Sequence, residues 1–326
     1  MSESTVTSGC QTYSELENMR SIANRRLFLT WLFLSSCGAR RFSQLDNSQP
    51  SKLEQLTIGT LSYGVGTETI AQYDSIKQYL AQKLQSLVQI EPAFNENKAL
   101  ERIKAQAWSL VFAPPGLAAI AISQYQYTAL VPLEGINNLR SILVVKKDST
   151  YQDLRSLAGK KLAIGLPGSA TGYYFPLYNF YGLTLAELIV SPTPKAILEA
   201  VAQGSADVGA LSLQEFNTYK SEIKQAPLRI LFVDPHKVPT GAILVSSTVE
   251  VKLQESIRQV LKNAPSTIAQ ASGFIPNGTV PDYQYTISVI ERVRSIFPGD
   301  QAKTAALLRQ KPVRLFKDKA GNSALF

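Results

Sequence analysis

The chain has 326 residues, 45% of them hydrophobic and 18% charged, a globular mix that excludes disordered and fibrous classes. Its 33 Lys and Arg against 25 Asp and Glu leave a formal charge of +8, spread thinly. Diffuse positive charge favours anionic ligands or surfaces. No basic stripe interleaved with aromatics appears, so nucleic-acid binding is not expected. Lys311, Arg314, Lys317 and Lys319 form the one local concentration, read as a solvated tail. Cys10 and Cys37 are the two cysteines and His236 the one histidine, too few for a disulfide framework or a zinc cluster. No metal and no cofactor are expected.

The first element is an address. Arg25 and Arg26 precede an apolar run, Leu27 to Leu34, too short to span a bilayer. A positive region followed by a short apolar one is a secretory signal. Leu34-Ser35-Ser36-Cys37 resembles a bacterial lipobox, whose cysteine carries the lipid. The twin arginine with Phe28 and Leu29 resembles a Tat signal, with the Sec route left open. Glu3, Glu15 and Glu17 are unusual in a leader, and Met19 would give a more typical start. Residues 1–37 are therefore read as a signal peptide and residues 38–52 as a polar tether.

The mature chain alternates. Leu56 to Leu61 reads as a strand, and Ile70, Tyr73, Ile76, Leu80, Leu84 and Leu87 as one helix face. Val88 to Ala93 is a strand, Ala99, Ile103 and Ala107 mark a helix, and Leu110 to Ala113 is a strand ended by Pro114-Pro115. Strand–helix–strand–helix–strand predicts a parallel sheet covered by helices. A second unit follows. It has strands at Ser141 to Lys146, Leu162 to Gly165, Val208 to Leu211 and Ile230 to Val233. A helix starts at Gly168, and another, Ala196 to Gln203, is closed by Gly204. Ala242 to Ser246 is a further strand, with helices marked by Leu253, Ile257, Val260 and Leu261 and by Ile290, Val293 and Phe297. There is no internal repeat. The expected architecture is α/β, two lobes joined by crossovers near 140–147 and 241–247, with a ligand cleft between them. Residues 53–140 and 248–326 would form lobe 1 and residues 141–247 lobe 2.

The main candidate site is Pro167-Gly168-Ser169-Ala170-Thr171-Gly172-Tyr173, between a strand and a helix. Free N–H groups and the positive dipole end at a helix start favour an anion. The hydroxyls of Ser169 and Thr171 add donors. The alternative is that Ser169 is only an N-cap. No Gly-Lys-Ser/Thr follows, so this is not a P-loop. Gly64-Val65-Gly66-Thr67 begins like a dinucleotide fingerprint but lacks the third glycine; it reads instead as a loop facing the cleft, lined by Tyr63. Asp207, at a strand start, is either a cleft acid for a protonated oxyanion or amine, or a loop-capping carboxylate. His236 reads as a loop residue. Without a Gly-x-Ser-x-Gly elbow, a Cys–His pair or a metal cluster, no enzyme activity is expected.

The stretch from Tyr127 to Ser247 resembles the phosphate/phosphite/phosphonate ABC-transporter substrate-binding proteins. The resemblance lies in the order of Arg140 to Ser149, Leu154 to Lys161, Pro167 to Tyr173 with Pro176, and Ala200 to Ala210. Ile58 to Tyr63 and Phe112 to Pro115 match more loosely. The resemblance implies a type II periplasmic-binding fold that closes by a hinge and hands its ligand to a membrane permease powered by an ATPase. A monomer is expected, anchored to the periplasmic face of a membrane through the lipobox-like Cys37. Ser169 and Thr171 match the serines of the family's oxyanion-binding Ser-Thr-Ser segment, with Ala170 replacing the threonine. The family's acid falls on Asp207. A family histidine would fall near Pro194, and a family tyrosine is replaced at Gly116-Leu117. The function implied is capture of a small oxyanion (phosphonate, phosphite or phosphate). A sensor or scaffold lipoprotein of the same fold, or a binder of another small ligand such as a sulfonate, is the alternative. An enzyme on this fold would need histidine or cysteine chemistry that one histidine does not supply.

Overall fold

The computed structural model describes residues 54–61, 67–135, 138–297 and 311–315. Elements follow in the order β1 (Gln55–Leu61), α1 (Thr67–Leu84), β2 (Leu87–Ala93), α2 (Glu96–Lys104), β3 (Leu110–Ala113), α3 (Pro115–Tyr125) and β4 (Thr128–Pro132). Then come β5 (Ser141–Lys146), β6 (Lys161–Ile164), a π-helical turn (Ala170–Tyr174) running into α4 (Phe175–Asn179), β7 (Thr184–Leu185), β8 (Glu187–Val190) and α5 (Pro194–Gln203). The chain continues through β9 (Val208–Ser212), α6 (Leu213–Tyr219), β10 (Leu228–Val233), β11 (Ala242–Val245), α7 (Val251–Lys262), α8 (Ser266–Ser272), α9 (Gln284–Arg294) and β12 (Val313–Arg314).

Two five-stranded sheets carry the fold, in the orders β2-β1-β3-β11-β4 and β10-β5-β9-β6-β8. The first is parallel through β2, β1 and β3, with β11 antiparallel to both β3 and β4. In the second, β6 runs parallel to β8 and β9, and β5 antiparallel to β9 and β10. Side chains alternate faces along a strand, and both sheets are covered on both faces. Leu110 and Phe112 of β3 pack with Ile76, Leu80 and Ile257 beneath α1 and α7, while Val111 and Ala113 face α3. In β5, Ile142 and Val144 face the α5 and α6 side, and Leu143 and Val145 the opposite one.

The two-lobe α/β fold is as the sequence predicts; its boundaries and crossovers differ. Strand β11 was expected in lobe 2, but its hydrogen bonds run to β3 and β4, so the first sheet claims it. Strand β5 lies wholly in the second sheet. The crossovers are the segments that lead into these two strands. There Leu133 N–H donates to Gly241 O (2.9 Å) and Val238 N–H to Leu139 O (2.8 Å). Arg140 ties them further, one guanidinium nitrogen donating to the carbonyls of Asp234 (2.8 Å) and Pro235 (2.6 Å). The C-terminal region was assigned to lobe 1 alone. Instead α9 contacts α3 of the first lobe and α4 of the second, and β12 pairs with β7.

Helix α3 carries no amphipathic period because it has no solvent face over its first half: Gly116 to Ala121 are all buried. Pro115 sits at its start, where its missing N–H costs nothing.

Candidate functional site

The helix-start segment follows β6. Gly165 N–H donates to Gly172 O at 2.8 Å, folding the loop back on itself. Ser169 takes an extended conformation and its Oγ accepts from Gly172 N–H at 3.0 Å, so it is the N-cap of the turn. That leaves the hydroxyl proton of Ser169 as a donor. Tyr174 N–H reaches Ser169 O (3.2 Å), the wider spacing of a π turn. Ser141, buried at the start of β5, donates from Oγ to Thr171 O at 2.7 Å. The segment is thus fixed to the strand that leaves the crossover. Ala170 and Thr171 are buried, and so are the following Tyr173, Tyr174 and Phe175. Burial pushes the phenols of Tyr173 and Tyr174 well above their ordinary range, so both are neutral hydroxyls.

Beside this segment lies a cavity of about 20 Å³, lined among others by Ser169, Gly172, Ser191, Thr193, Glu96 and Glu215. About one water would fill that volume. Glu215 is committed to α6: its carboxylate accepts from Ser212 N–H (2.7 Å) while Ser212 Oγ accepts from Glu215 N–H (3.1 Å). Glu96 comes from the other lobe, in the first turn of α2 behind the N-cap Asn95, and is buried.

Ser169, Ala170 and Thr171 lie at the start of the π turn, and Ser169 takes the N-cap role, the alternative that the sequence left open. Asp207 is not with them. Its Oδ2 accepts from Lys161 N–H (2.8 Å) and its Oδ1 from Tyr151 Oη (2.9 Å), at the beginning of β6, whereas the helix-start segment follows the end of that strand. The reading of Asp207 as a cleft acid is corrected by this placement: it ties the β6 and β9 starts together. Tyr63 and Cys37 lie outside the described residues. His236 sits in the second crossover, its ring stacked on Tyr285 (4.3 Å, 25°) with Nδ1 3.1 Å from Asp234 Oδ1. Glu96 was missed because an acid after an Asn reads simply as a capped helix start. Among the described residues no group of acids, histidines or cysteines is placed to hold a metal ion.

Residues 58–276 match the model of the ABC transporter phosphonate periplasmic substrate-binding proteins. The chain belongs to that family. Its members are transporter substrate-binding proteins of the periplasm rather than enzymes. No curated protein sequence matches the chain. Solved structures share the fold at low identity. A Xanthomonas citri protein bound to ATP is 18% identical, with a TM-score of 0.62 over 74% of this chain and 98% of that one. PhnD1 of Prochlorococcus marinus, in complex with methylphosphonate, is 18% identical, with a TM-score of 0.57 over 73% of this chain and 97% of that one. A binding-protein component of an ABC phosphonate transporter from Pseudomonas aeruginosa is 14% identical, with a TM-score of 0.57 over 79% and 94%. Among the described residues no helix is long and apolar enough to cross a membrane.

Proposed function

We propose that this family member is the lipid-anchored binding subunit of an ABC importer. It captures a small oxyanion (phosphonate, phosphite or phosphate) between its lobes and passes it to a permease and its ATPase. The observation that carries the reading is the helix start at Ser169, whose residue lines the interlobe cavity together with Gly172. The Ser169 hydroxyl and the amides of Ala170 and Thr171 are the donors assigned to the ion, reinforced by the helix dipole. Glu96 takes the part that the sequence assigned to Asp207. An acid lining the site suits an ion that retains a proton and repels sulfate, which has none to offer. Lipidation at Cys37 supplies the anchor, supported by the apolar run and Leu34-Ser35-Ser36 before it.

The test is a thermal-shift panel of phosphate, phosphite, methylphosphonate, aminoethylphosphonate, sulfate and taurine. A ligand at 100 times its Kd adds about 2.7 kcal/mol of stability. Ser169→Ala with Thr171→Ala removes the one hydroxyl donor assigned to the ion and is expected to weaken the responding ion by about 1.5–3 kcal/mol, the worth of one hydrogen bond to a charged group. Unchanged affinity by calorimetry removes this site. Cys37→Ala is expected to release the protein from membranes; continued fatty-acid labelling of the variant contradicts the anchor.

A further inference from the structure

A cavity of about 380 Å³ lies between the first crossover and α6, and it shares no lining residue with the cavity beside Ser169. Asn138, Leu139 and Arg140 form one wall, and Leu213, Asn217 and Thr218 the other. Leu213 N–H donates to Arg140 O at 3.1 Å, which joins the two walls. The Ser212–Glu215 capping box fixes the first turn of α6, so the walls hold their spacing. The volume falls in the range of about 300–1,000 Å³ typical of small-molecule sites, and one bare ion would leave most of it to water.

Arg140 supplies the charge. Its Nε donates to Asn138 Oδ1 at 2.9 Å, and one terminal nitrogen donates to the carbonyls of Asp234 and Pro235. All three acceptors are neutral oxygens, so the guanidinium is oriented without being neutralised. Its other terminal nitrogen, with two N–H groups, has no partner among the described residues. Asn138 reaches Arg140 from a left-handed backbone (φ 84°), an outlier of the kind that clusters at ligand sites. The amide oxygen of Asn138 is taken by Arg140 and that of Asn217 by Lys220 Nζ (2.9 Å). These amides therefore have N–H groups left to offer. Thr218 adds a hydroxyl, and Leu139 and Leu213 an apolar surface. Donors around one unneutralised cation, with no carboxylate among the described lining residues, suit an anion. The leucines suit an anion with an apolar body.

We propose that this cavity is a second binding site, which takes a small organic carboxylate. The carboxylate accepts from the unpartnered nitrogen of Arg140 and from an amide N–H of Asn138 or Asn217. The apolar body of the ligand lies on Leu139 and Leu213. N-acetyl-leucine carries these features: a carboxylate, a short branched side chain and an amide carbonyl that can accept from Thr218. The site is independent of the oxyanion reading, since it needs neither Ser169 nor any movement of the lobes.

The test is calorimetric titration of the full chain with N-acetyl-leucine in the millimolar range. The parent is expected to bind it. N-acetyl-leucinamide, which keeps the shape and lacks the charge, is expected to bind about tenfold or more weakly, the worth of a hydrogen bond to a charged group. Thr218→Trp, at an exposed helix position, fills the cavity and is expected to abolish binding while retaining the parent's circular dichroism. Arg140→Gln is expected to lower affinity by roughly the same factor as loss of the ligand's charge. Arg140 also ties the crossovers, so should that variant fail to fold, Thr218→Trp and the amide ligand carry the test. A parent that does not bind N-acetyl-leucine overturns the proposal. So does equal affinity for acid and amide, or an affinity for the acid that is unchanged in folded Thr218→Trp.

Discussion

Asp207 separates two accounts of the same residue, and its substitution distinguishes them. Resemblance assigns it to the ligand; the structure has its carboxylate accept from Lys161 N–H at 2.8 Å and Tyr151 Oη at 2.9 Å. A hydrogen bond to a charged group contributes about 1.5–3 kcal/mol. Asp207 is only partly buried and the Lys161 contact is exposed, so water replaces part of each bond. The low end of the range applies, and Asp207→Ala should cost about 2–3 kcal/mol. For a domain of this size, 1 kcal/mol corresponds to about 2–4 °C in Tm, so the melting point should fall by roughly 4–12 °C. Desolvation raises the Tyr151 phenol above its ordinary pKa, and the Asp207 carboxylate raises it further. The substitution should therefore also bring that phenol back toward its usual range. The assays are differential scanning calorimetry of parent and variant, and titration of whichever oxyanion responds in the panel. Lower Tm with unchanged Kd is the expected pair of results. A tenfold loss of affinity at unchanged Tm would refute the reasoning and return Asp207 to the cleft.

Gly204 ends α5 at φ +82°, and a β-carbon there meets only the flexible Lys146 ammonium at 3.1 Å. Gly204→Ala should therefore cost about 1 kcal/mol of left-handed strain and no steric clash. The expected signature is a lower denaturant midpoint at unchanged slope. Tyr127, 2% exposed, donates from Oη to Trp108 O at 2.9 Å, and burial pushes its phenol up to about 12. A raised folded pKa gives stability that is complete below the unfolded value near 10 and lost as pH climbs through 12. Two pH units correspond to roughly 3 kcal/mol. Tyr127→Phe should flatten the alkaline stability loss between pH 10 and 12, and an identical profile would count against the buried phenol as its source.

What could be read from the sequence was what local pattern encodes. Strand β1 announces itself by alternation, β3, β5 and β11 by short apolar runs, and α5 by its apolar spacing and Gly204 stop. Leu87 was counted on the face of α1; it opens β2 and is 52% exposed, because Gln85, at φ 50°, ends the helix run before it. Helix α3 escaped notice for the opposite reason: a helix buried all round shows no period, and Pro114-Pro115 looked like a stop rather than a start. The helix start was legible because glycines and a hydroxyl between a strand and a helix mark a capped turn. Its partner across the cleft was not. Gly116 carries no side chain to suggest a role, and its constraint comes from Gly168, 52 positions later in the chain, on another lobe. A residue whose contribution is the absence of a side chain becomes visible only when the atoms filling that space are known. That is why the boundary between the lobes had to come from three dimensions.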